Sequence, residues 1–283
     1  MSKVIACIDG SMSTSAVCDY AAWFSQKLKI SLELLHIIEK STSHSAQNLS
    51  GSLGLGGREV LLEEIIRLEE AKAKIELQHG DILLQEAKKY LKENYTIEPQ
   101  VFQRHGSLLD TIVALEEDFR VLIMGKYGNQ TERLVDKIGT QIENVVRAVH
   151  KPVLITYSPF EEPSSFLIAF DGSPTAKVCV DRITASPLLK GLSAHLVYVG
   201  DATQEIQAQI SWAETQLQQA GFTPNTHILQ GDVEKTLIDY ANSNQISLLV
   251  VGAYGHSRIR QFFIGSSTTK LLTRSTKPVL LLR

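Results

Sequence analysis

A glycine-rich stretch near the C-terminus contains the residue types that bind phosphate. It reads GAYGHSRIRQFFIGSS and lies between the apolar run ISLLVV and the helix-like run TTKLL. Nine residues separate Gly255 from Gly265, and Ser266 follows directly. Glycine tolerates positive φ and lets a ligand approach the main chain, while a helix N-terminus presents N–H groups with a positive dipole behind them. The stretch therefore predicts a phosphate-binding turn.

The sequence consists of two copies of one unit. KVIACIDGS returns as FLIAFDGS, RVLIMGKYG returns as LLVVGAYG, and HKPVLIT returns as TKPVLLL. The offset between the copies is 162 residues from Asp9 to Asp171 but only 127 residues from Gly125 to Gly252. The first copy therefore carries about 35 additional residues, and we expect two domains with the same fold.

The segment YSPFEEPSS separates the two copies, and its prolines and glutamates are typical of a linker. We place the boundary near Glu161, which predicts a first domain at residues 1–160 and a second domain at residues 161–283. The additional residues of the first domain lie at about 40–77, where a loop rich in Ser and Gly leads into a charged helical run. The loop is either a disordered connection or a mobile flap over a neighbouring site, and we favour disorder.

The inserted helical run carries apolar residues at near-helical spacing, which predicts one apolar stripe. Packing of this stripe onto the sheet and projection of a long helix towards a partner both explain it, and we favour packing. The stripe consists of Leu61, Ile65, Leu68, Ile75, Ile82, Leu83 and Leu91.

Short apolar runs alternate with amphipathic segments in each copy. In the second copy the runs are FLIAF, SAHLVYV, THILQ, ISLLVVG and PVLLL. This alternation is typical of a parallel sheet covered by helices on both faces, so the predicted fold class is α/β with a doubly wound sheet in each domain. Ligands of such sheets bind beyond the carboxyl ends of the strands, where the winding direction reverses. The Asp-Gly-Ser and Gly-x-x-Gly motifs follow the first and fourth strands at that edge.

The motifs of the second copy resemble the nucleotide-binding pattern of the universal stress protein family. This pattern has an Asp at the end of strand one and, after strand four, G-x-x-G followed by nine residues and G-[ST]. The resemblance covers both copies. It implies a five-stranded parallel sheet in the order 3-2-1-4-5 in each domain, with ATP held between strands one and four and AMP or ADP as alternatives. It also implies Mg²⁺ as a companion ion and pairing of domains through their fifth strands, within one chain or across a homodimer.

The resemblance assigns the nucleotide mainly to the second domain. It implies that Asp171 faces the ribose and base, that Val199 meets adenine through its main chain, and that the glycines and Ser266 surround the ribose and phosphates. His256 and Arg258 are either charged donors to the phosphates or solvated surface residues. The implied binding residues are Ala169, Phe170, Asp171, Val199, Val251, Gly252, Gly255, His256, Arg258, Gly265, Ser266, Ser267 and Thr268.

The first domain departs from this pattern. Ten residues separate Gly128 from Gly139, and Thr140, Gln141 and Ile142 stand where the second domain has Ser266, Ser267 and Thr268. We therefore expect weaker nucleotide binding or none there, and Asp9 is equally well explained as a helix cap. A Gly-x-x-Gly motif without the rest of the pattern is also explained by the geometry of a strand-to-helix turn, with no bound ligand. The corresponding candidate residues are Asp9, Ile37, Gly125, Gly128, Gly139 and Thr140.

Composition and motifs narrow the possible functions. The formal net charge of −3, with acidic and basic residues interleaved, argues against nucleic acid as the partner. We expect no signal peptide and no membrane span, and hence a cytoplasmic protein. The sequence has no Walker A motif, no G-x-S-x-G elbow and no metal-type His/Cys cluster, so no catalytic residue is predicted. Cys7, Cys18 and Cys179 are expected to be buried free thiols.

Three functions remain. We prefer an ATP-binding stress-response regulator, in which the bound nucleotide changes the conformation of the protein or its contact with a partner. The second is a slow ATPase or self-phosphorylating protein that uses Ser266, Ser267 or Thr268. The third is a chaperone-like assembly protein in which nucleotide binding is secondary.

Overall fold

The computed structural model describes residues 2–39, 55–126, 140–157, 159–252 and 266–283. The Ser/Gly loop at 40–54 lies outside the described residues. The same holds for six of the candidate site residues, namely Gly128, Gly139, Gly255, His256, Arg258 and Gly265.

Strands and helices alternate along both halves of the chain. The first half contains β1 (Lys3–Cys7), α1 (Thr14–Leu28), β2 (Leu32–Ile38), α2 (Leu55–Tyr95), β3 (Gln100–His105), α3 (Leu108–Ala114), a 3-10 turn (Glu116–Asp118), β4 (Phe119–Gly125), α4 (Thr140–Ala148) and β5 (Val153–Thr156). The second half contains β6 (Ser165–Ala169), α5 (Pro174–Ala185), β7 (Ser193–Val199), α6 (Gln204–Gln219), β8 (Pro224–Leu229), α7 (Val233–Ser243), β9 (Leu248–Gly252), α8 (Ser266–Arg274) and β10 (Val279–Leu282).

The strands form one ten-stranded sheet in the order β3-β2-β1-β4-β5-β10-β9-β6-β7-β8. Each half therefore has the order 3-2-1-4-5, which confirms the predicted doubly wound α/β class. Neighbouring strands run parallel within each half, and β5 pairs with β10 in the antiparallel direction. The fifth strands thus meet within the chain, which is the intramolecular form of the expected pairing.

The pairing of β5 with β10 relates the two halves by an approximate two-fold axis. Leu154 lies opposite Leu280, with Val153 opposite Leu281 and Ile155 opposite Val279. Leu154 and Leu280 occupy equivalent positions of the repeat, so a rotation that superimposes one half on the other exchanges these two paired residues. The axis therefore passes through the centre of the joint between the halves.

Two apolar layers cover the two faces of the sheet. Helices α1, α2, α5 and α6 pack on one face, and α3, α4, α7 and α8 pack on the other. The central strands are apolar on both sides because both of their faces are buried, as is usual in parallel sheets. None of the helices in the described ranges combines the length and apolar character needed to cross a bilayer.

Helix α2 packs on the sheet only near its C-terminal end. Leu91 is fully buried there, whereas Leu68, Ile75 and Ile82 are 61%, 64% and 57% exposed. The favoured packing of the whole stripe is therefore wrong for these three residues. The reason is length, since 41 helical residues span about 60 Å while the neighbouring seven-residue strand β2 spans about 23 Å.

Candidate functional site

A cavity of about 140 Å³ lies at the carboxyl ends of β6, β7 and β9, where the strand order of the second half reverses. Six of the residues singled out in the sequence line it, namely Ala169, Phe170, Asp171, Val199, Val251 and Gly252. The sequence thus brings the ends of three different strands to one place, as expected for a doubly wound sheet.

Other residues of the cavity wall were missed by the sequence analysis, and three of them belong to α7. Asp232 caps this helix by accepting a hydrogen bond from the Lys235 N–H at 3.0 Å, so Val233 and Glu234 stand in its first turn. Leu237 follows Val233 by four residues and shares its face. The detectable signal was this i, i+4 apolar pair directly after the third strand. The missed residues are Ala176, Val197, Val233, Glu234, Leu237 and Leu271.

Glu234 is the buried acid of the cavity, with 4% of its surface exposed. Its Oε1 lies 3.4 Å from Nζ of Lys270 in α8. A buried carboxylate is costly unless it is paired or hydrogen-bonded, and Lys270 supplies that pairing. Among the described lining residues, Glu234 therefore presents a buried carboxylate acceptor within a mostly apolar wall.

Asp171 closes β6 and is exposed at the rim of the cavity. Its Oδ1 accepts a hydrogen bond from the Ser173 N–H at 2.9 Å, and Ser173 in turn caps α5 by accepting from the Ala176 N–H at 3.2 Å. The turn thus holds the Asp171 carboxylate at the sheet edge while Ser173 begins the helix.

Asp9 makes the corresponding contact in the first half, where its Oδ1 accepts from the Ser11 N–H at 3.0 Å. Helix α1 has Ser13 at its N-cap position. The alternative prediction that Asp9 caps this helix is therefore wrong, because the residue lies four positions too early.

Gly125 and Gly252 are required by packing whether or not a ligand is bound. A Cβ atom on Gly252 would lie 3.0 Å from the carbonyl oxygen of Thr175, and one on Gly125 would lie 2.6 Å from Cβ of Ser13. The ends of β9 and β4 therefore pass very close to the start of α5 and α1. The geometric explanation of the first glycine in each Gly-x-x-Gly motif is supported by these distances.

Helix α8 begins at Ser266, so Ser266, Ser267 and Thr268 form its first turn. Leu271 lines the cavity from the next turn of the same helix. The N-terminal N–H groups of α8 thus lie within about two turns of the cavity wall. Thr140 begins α4 in the same way in the first half.

The corresponding region of the first half carries different side chains. Ile37, Leu108 and Leu109 pack against the apolar layer of that face. Glu39 accepts hydrogen bonds from the Leu108 N–H at 3.5 Å and from Nε2 of Gln141. This link joins the end of β2 to the starts of α3 and α4, and the first half therefore differs in structure as well as in sequence.

These features define a doubly wound α/β domain that is present twice, and the comparisons give its family. The sequence model of the universal stress protein family matches residues 1–156 and 164–283. The chain belongs to the universal stress protein family.

Two relatives match this chain over nearly its full length, and a third matches part of it. Universal stress protein Slr1230 of Synechocystis sp. is 36% identical, and the match covers 100% of each chain. The crystal structure of a universal stress protein from Archaeoglobus fulgidus DSM 4304 is 17% identical, with a TM-score of 0.68 and coverage of 99% of this chain and 98% of that chain. A universal stress protein crystallised in complex with cAMP is 22% identical, covers 44% of this chain and 98% of that chain, and gives a TM-score of 0.38.

Proposed function

We propose that this universal stress protein is an ATP-binding regulator whose second domain holds the nucleotide. The supporting observation is the cavity at the strand-order reversal, where Asp171, Val199 and Gly252 meet the start of α7. AMP and ADP share the adenosine group and fit the same proposal. Occupancy of the site changes how the chain contacts a partner or how its two halves contact each other.

The size and lining of the cavity suit the base of the nucleotide. Its volume of about 140 Å³ is similar to that of engineered apolar cavities of about 150 Å³ that bind benzene. It therefore accommodates one planar ring system, with Val199, Val233 and Leu237 as apolar contacts. Glu234 is the acceptor for the exocyclic amino group of adenine, because a carboxylate accepts N–H donors.

The sugar and phosphates extend from the cavity towards α8. The helix N-terminus at Ser266 carries a positive dipole and N–H groups that lack partners within the helix, both of which favour an anion. Glu234 is paired with Lys270, so among the described wall residues Asp171 is the carboxylate suited to a Mg²⁺ ion that arrives on the phosphates.

Calorimetric titration with ATP tests this proposal. We expect about one nucleotide per chain, since the glycine-rich loop of the first half departs from the family spacing between Gly128 and Gly139. Val199→Phe places a ring in the cavity and should remove the main binding event. Ile37→Phe changes the corresponding residue of the first half and should leave the main ATP-binding event unchanged. Unaltered ATP binding by Val199→Phe, with wild-type folding, would show that the cavity is not the base site.

An assembly role is the second candidate, and the exposed face of α2 favours it. Leu68, Ile75 and Ile82 are all more than half exposed on one helix. Native mass spectrometry of wild type should then show oligomers that Leu68→Glu together with Ile75→Glu abolishes. Lys74→Glu adds a negative charge at a polar position of the same helix and should leave them intact. A wild-type monomer at all concentrations would exclude this role.

A further inference from the structure

The antiparallel pairing of β5 with β10 creates a two-fold symmetric groove between α1 and α5. Both helices pack on the same face of the sheet, and the approximate axis through Leu154 and Leu280 exchanges them. The linker between the domains crosses one half of this groove. The other half contains a cavity of about 310 Å³, which Leu28 of α1, Ile183 of α5 and Leu282 of β10 help to line.

The linker shows what this type of groove holds. Its Phe160 ring packs edge-on against the Tyr20 ring of α1, with the ring centroids 4.7 Å apart. The Tyr20 hydroxyl donates to the main-chain oxygen of Glu161 at 3.4 Å, and Nζ of Lys277 lies 3.1 Å from the Glu161 carboxylate. An aromatic residue followed by an acid is therefore held by a side chain of α1 and by the lysine before β10.

The same two positions face the cavity in the other half, but both are cationic. The offset of 162 residues that relates Asp9 to Asp171 also relates Tyr20 to Arg182, and Lys277 corresponds to Lys151 in the repeated KPV motif. Arg182 and Lys151 both line the cavity, and Arg120 joins them. Three cations thus surround the site that corresponds to the position of Phe160 and Glu161.

The cations lie at the rim and the apolar residues form the floor. Arg120 and Arg182 are exposed, whereas Leu188 and Leu280 are buried. Lys151 pairs with Glu117 at 3.7 Å, but the side chain of Glu117 is 94% exposed and a surface pair of this kind contributes little. An incoming carboxylate can replace it.

We propose that this cavity binds an extended peptide segment of a partner protein in which an aromatic residue is followed by acidic residues, as Phe160 is followed by Glu161 and Glu162. The aromatic ring occupies the apolar floor, and the carboxylates meet Arg120, Lys151 and Arg182. The volume lies at the lower end of the usual range for ligand pockets, roughly 300–1,000 Å³, which suits one side chain and its neighbours. Because Arg120 and Arg182 are exposed at the rim, an extended peptide that crosses the rim can reach both of them.

The linker sequence supplies the probe. Fluorescence anisotropy of a labelled YSPFEEPSS peptide, titrated with the full-length protein, should show saturable binding. A peptide with both glutamates changed to glutamine, and one with the phenylalanine changed to alanine, should each bind at least about tenfold more weakly, a loss of about 1.4 kcal/mol. Equal binding of all three peptides would overturn the proposal, as would absence of binding at about 1 mM protein.

Variants of the protein locate the binding. Arg182→Glu removes a rim cation, and Ala185→Trp places a bulky side chain at the edge of the cavity. Both should weaken peptide binding about tenfold or more while ATP binding and the thermal melting curve stay unchanged. Arg147→Glu in α4, on the opposite face of the sheet, is the matched control and should bind normally. Normal peptide binding by Ala185→Trp would overturn the proposal, and so would saturation of the cavity by octanoate without any peptide binding.

Discussion

His195 on β7 lies beside Tyr240 of α7 and near His227 on the next strand. Its Nδ1 accepts a hydrogen bond from the Tyr240 hydroxyl at 2.8 Å in the tautomer that leaves this nitrogen unprotonated. Burial lowers the pKa of His195 from its usual 6.5, and the nearby His227 lowers it further. The folded chain therefore favours the neutral imidazole.

This shift predicts a loss of stability in mild acid. Because the pKa of His195 is lower in the folded chain than in the unfolded chain, the unfolded chain binds the extra proton first, and stability falls as the pH drops below 6.5. The urea midpoint at about pH 5.5 should lie below that at about pH 7.5, and His195→Gln should reduce the difference. His105→Gln changes an exposed histidine and should preserve it. An identical pH dependence in wild type and His195→Gln would refute this assignment.

The buried thiols give a second prediction at this scale. Burial raises the pKa values of Cys18 and Cys179 from 9.0 to about 12, so the thiolate is almost absent at neutral pH. Since only the thiolate reacts, neither residue should react with a disulfide reagent at about pH 8 in the folded protein, and both should react in denaturant. The raised pKa also means that their contribution to stability is lost as the pH rises from 9 towards 12. Rapid modification of the native protein at both positions would contradict the observed burial.

The candidate site shows which of its residues sequence could predict. Asp171 and Gly252 belong to motifs that follow apolar runs visible in the sequence, Val199 was implied by the family resemblance, and all three line the cavity. Glu234 was missed because its role depends on a contact with Lys270, 36 residues away, which no local pattern reveals. Strand ends were therefore predictable, and residues supplied by a packed helix were not.

At the scale of elements, one buried acid of α1 adds hydrogen bonds to the apolar packing of α2. Asp19 of α1 accepts hydrogen bonds from the hydroxyls of Tyr90 at 2.7 Å and Tyr95 at 2.8 Å. The bond to Asp19 raises the pKa of Tyr90 to about 12, and burial is the main cause that raises the pKa of Tyr95. Both tyrosines lie near the C-terminal end of α2, which leaves the preceding turns without this attachment.

Tyr95→Phe should lower the free energy of unfolding by about 1.5–3 kcal/mol, because it removes a hydrogen bond to a charged group. The same change in an Asp19→Asn background should cost clearly less, since the acceptor is then uncharged. Urea denaturation of the four proteins of this cycle measures the coupling between Asp19 and Tyr95. Additive effects would mean that the bond contributes nothing to stability.

The existence of α2 was predicted from its apolar spacing, but its packing was not. The stripe has the same period whether it meets the sheet or points to solvent. Only the comparison of helix length with strand length separates packing on the sheet from exposure to solvent. The strands were easier to predict than the packing of α2, because short apolar runs bounded by turn residues occur in both halves.

At the scale of the whole molecule, Lys126 connects the two halves. It follows β4, is only 2% exposed, and donates to the main-chain oxygens of Thr273 at 2.6 Å and Ser275 at 3.2 Å at the end of α8. Its Nζ also lies 4.6 Å from the centroid of the Tyr157 ring. A cation at a helix C-terminus is favourable, and burial strengthens the interaction. The equivalent position of the second half is Ala253, so the repeat gave no indication of this contact.

Lys126→Met should lower the free energy of unfolding by about 2–3 kcal/mol, because it leaves two carbonyl groups at the domain joint without their charged donor. Lys277→Met is the matched control, since Lys277 makes a more exposed pair with Glu161 that should contribute at most about 1 kcal/mol. Chemical denaturation of both variants gives the comparison. Equal stability losses would show that Lys126 has no special part in joining the halves.

The pairing of β5 with β10 can form only after the whole second half of the chain has been synthesised. Strand β5 leaves the ribosome roughly 120 residues before β10, a delay of roughly 6–25 s at about 5–20 residues per second. Throughout that interval a folded first domain presents β5 as an apolar edge with unpaired main-chain groups, the kind of edge that recruits strands from other chains. A pause in translation between the two halves would therefore expose nascent chains to mutual association, and β10 ends that exposure when it pairs.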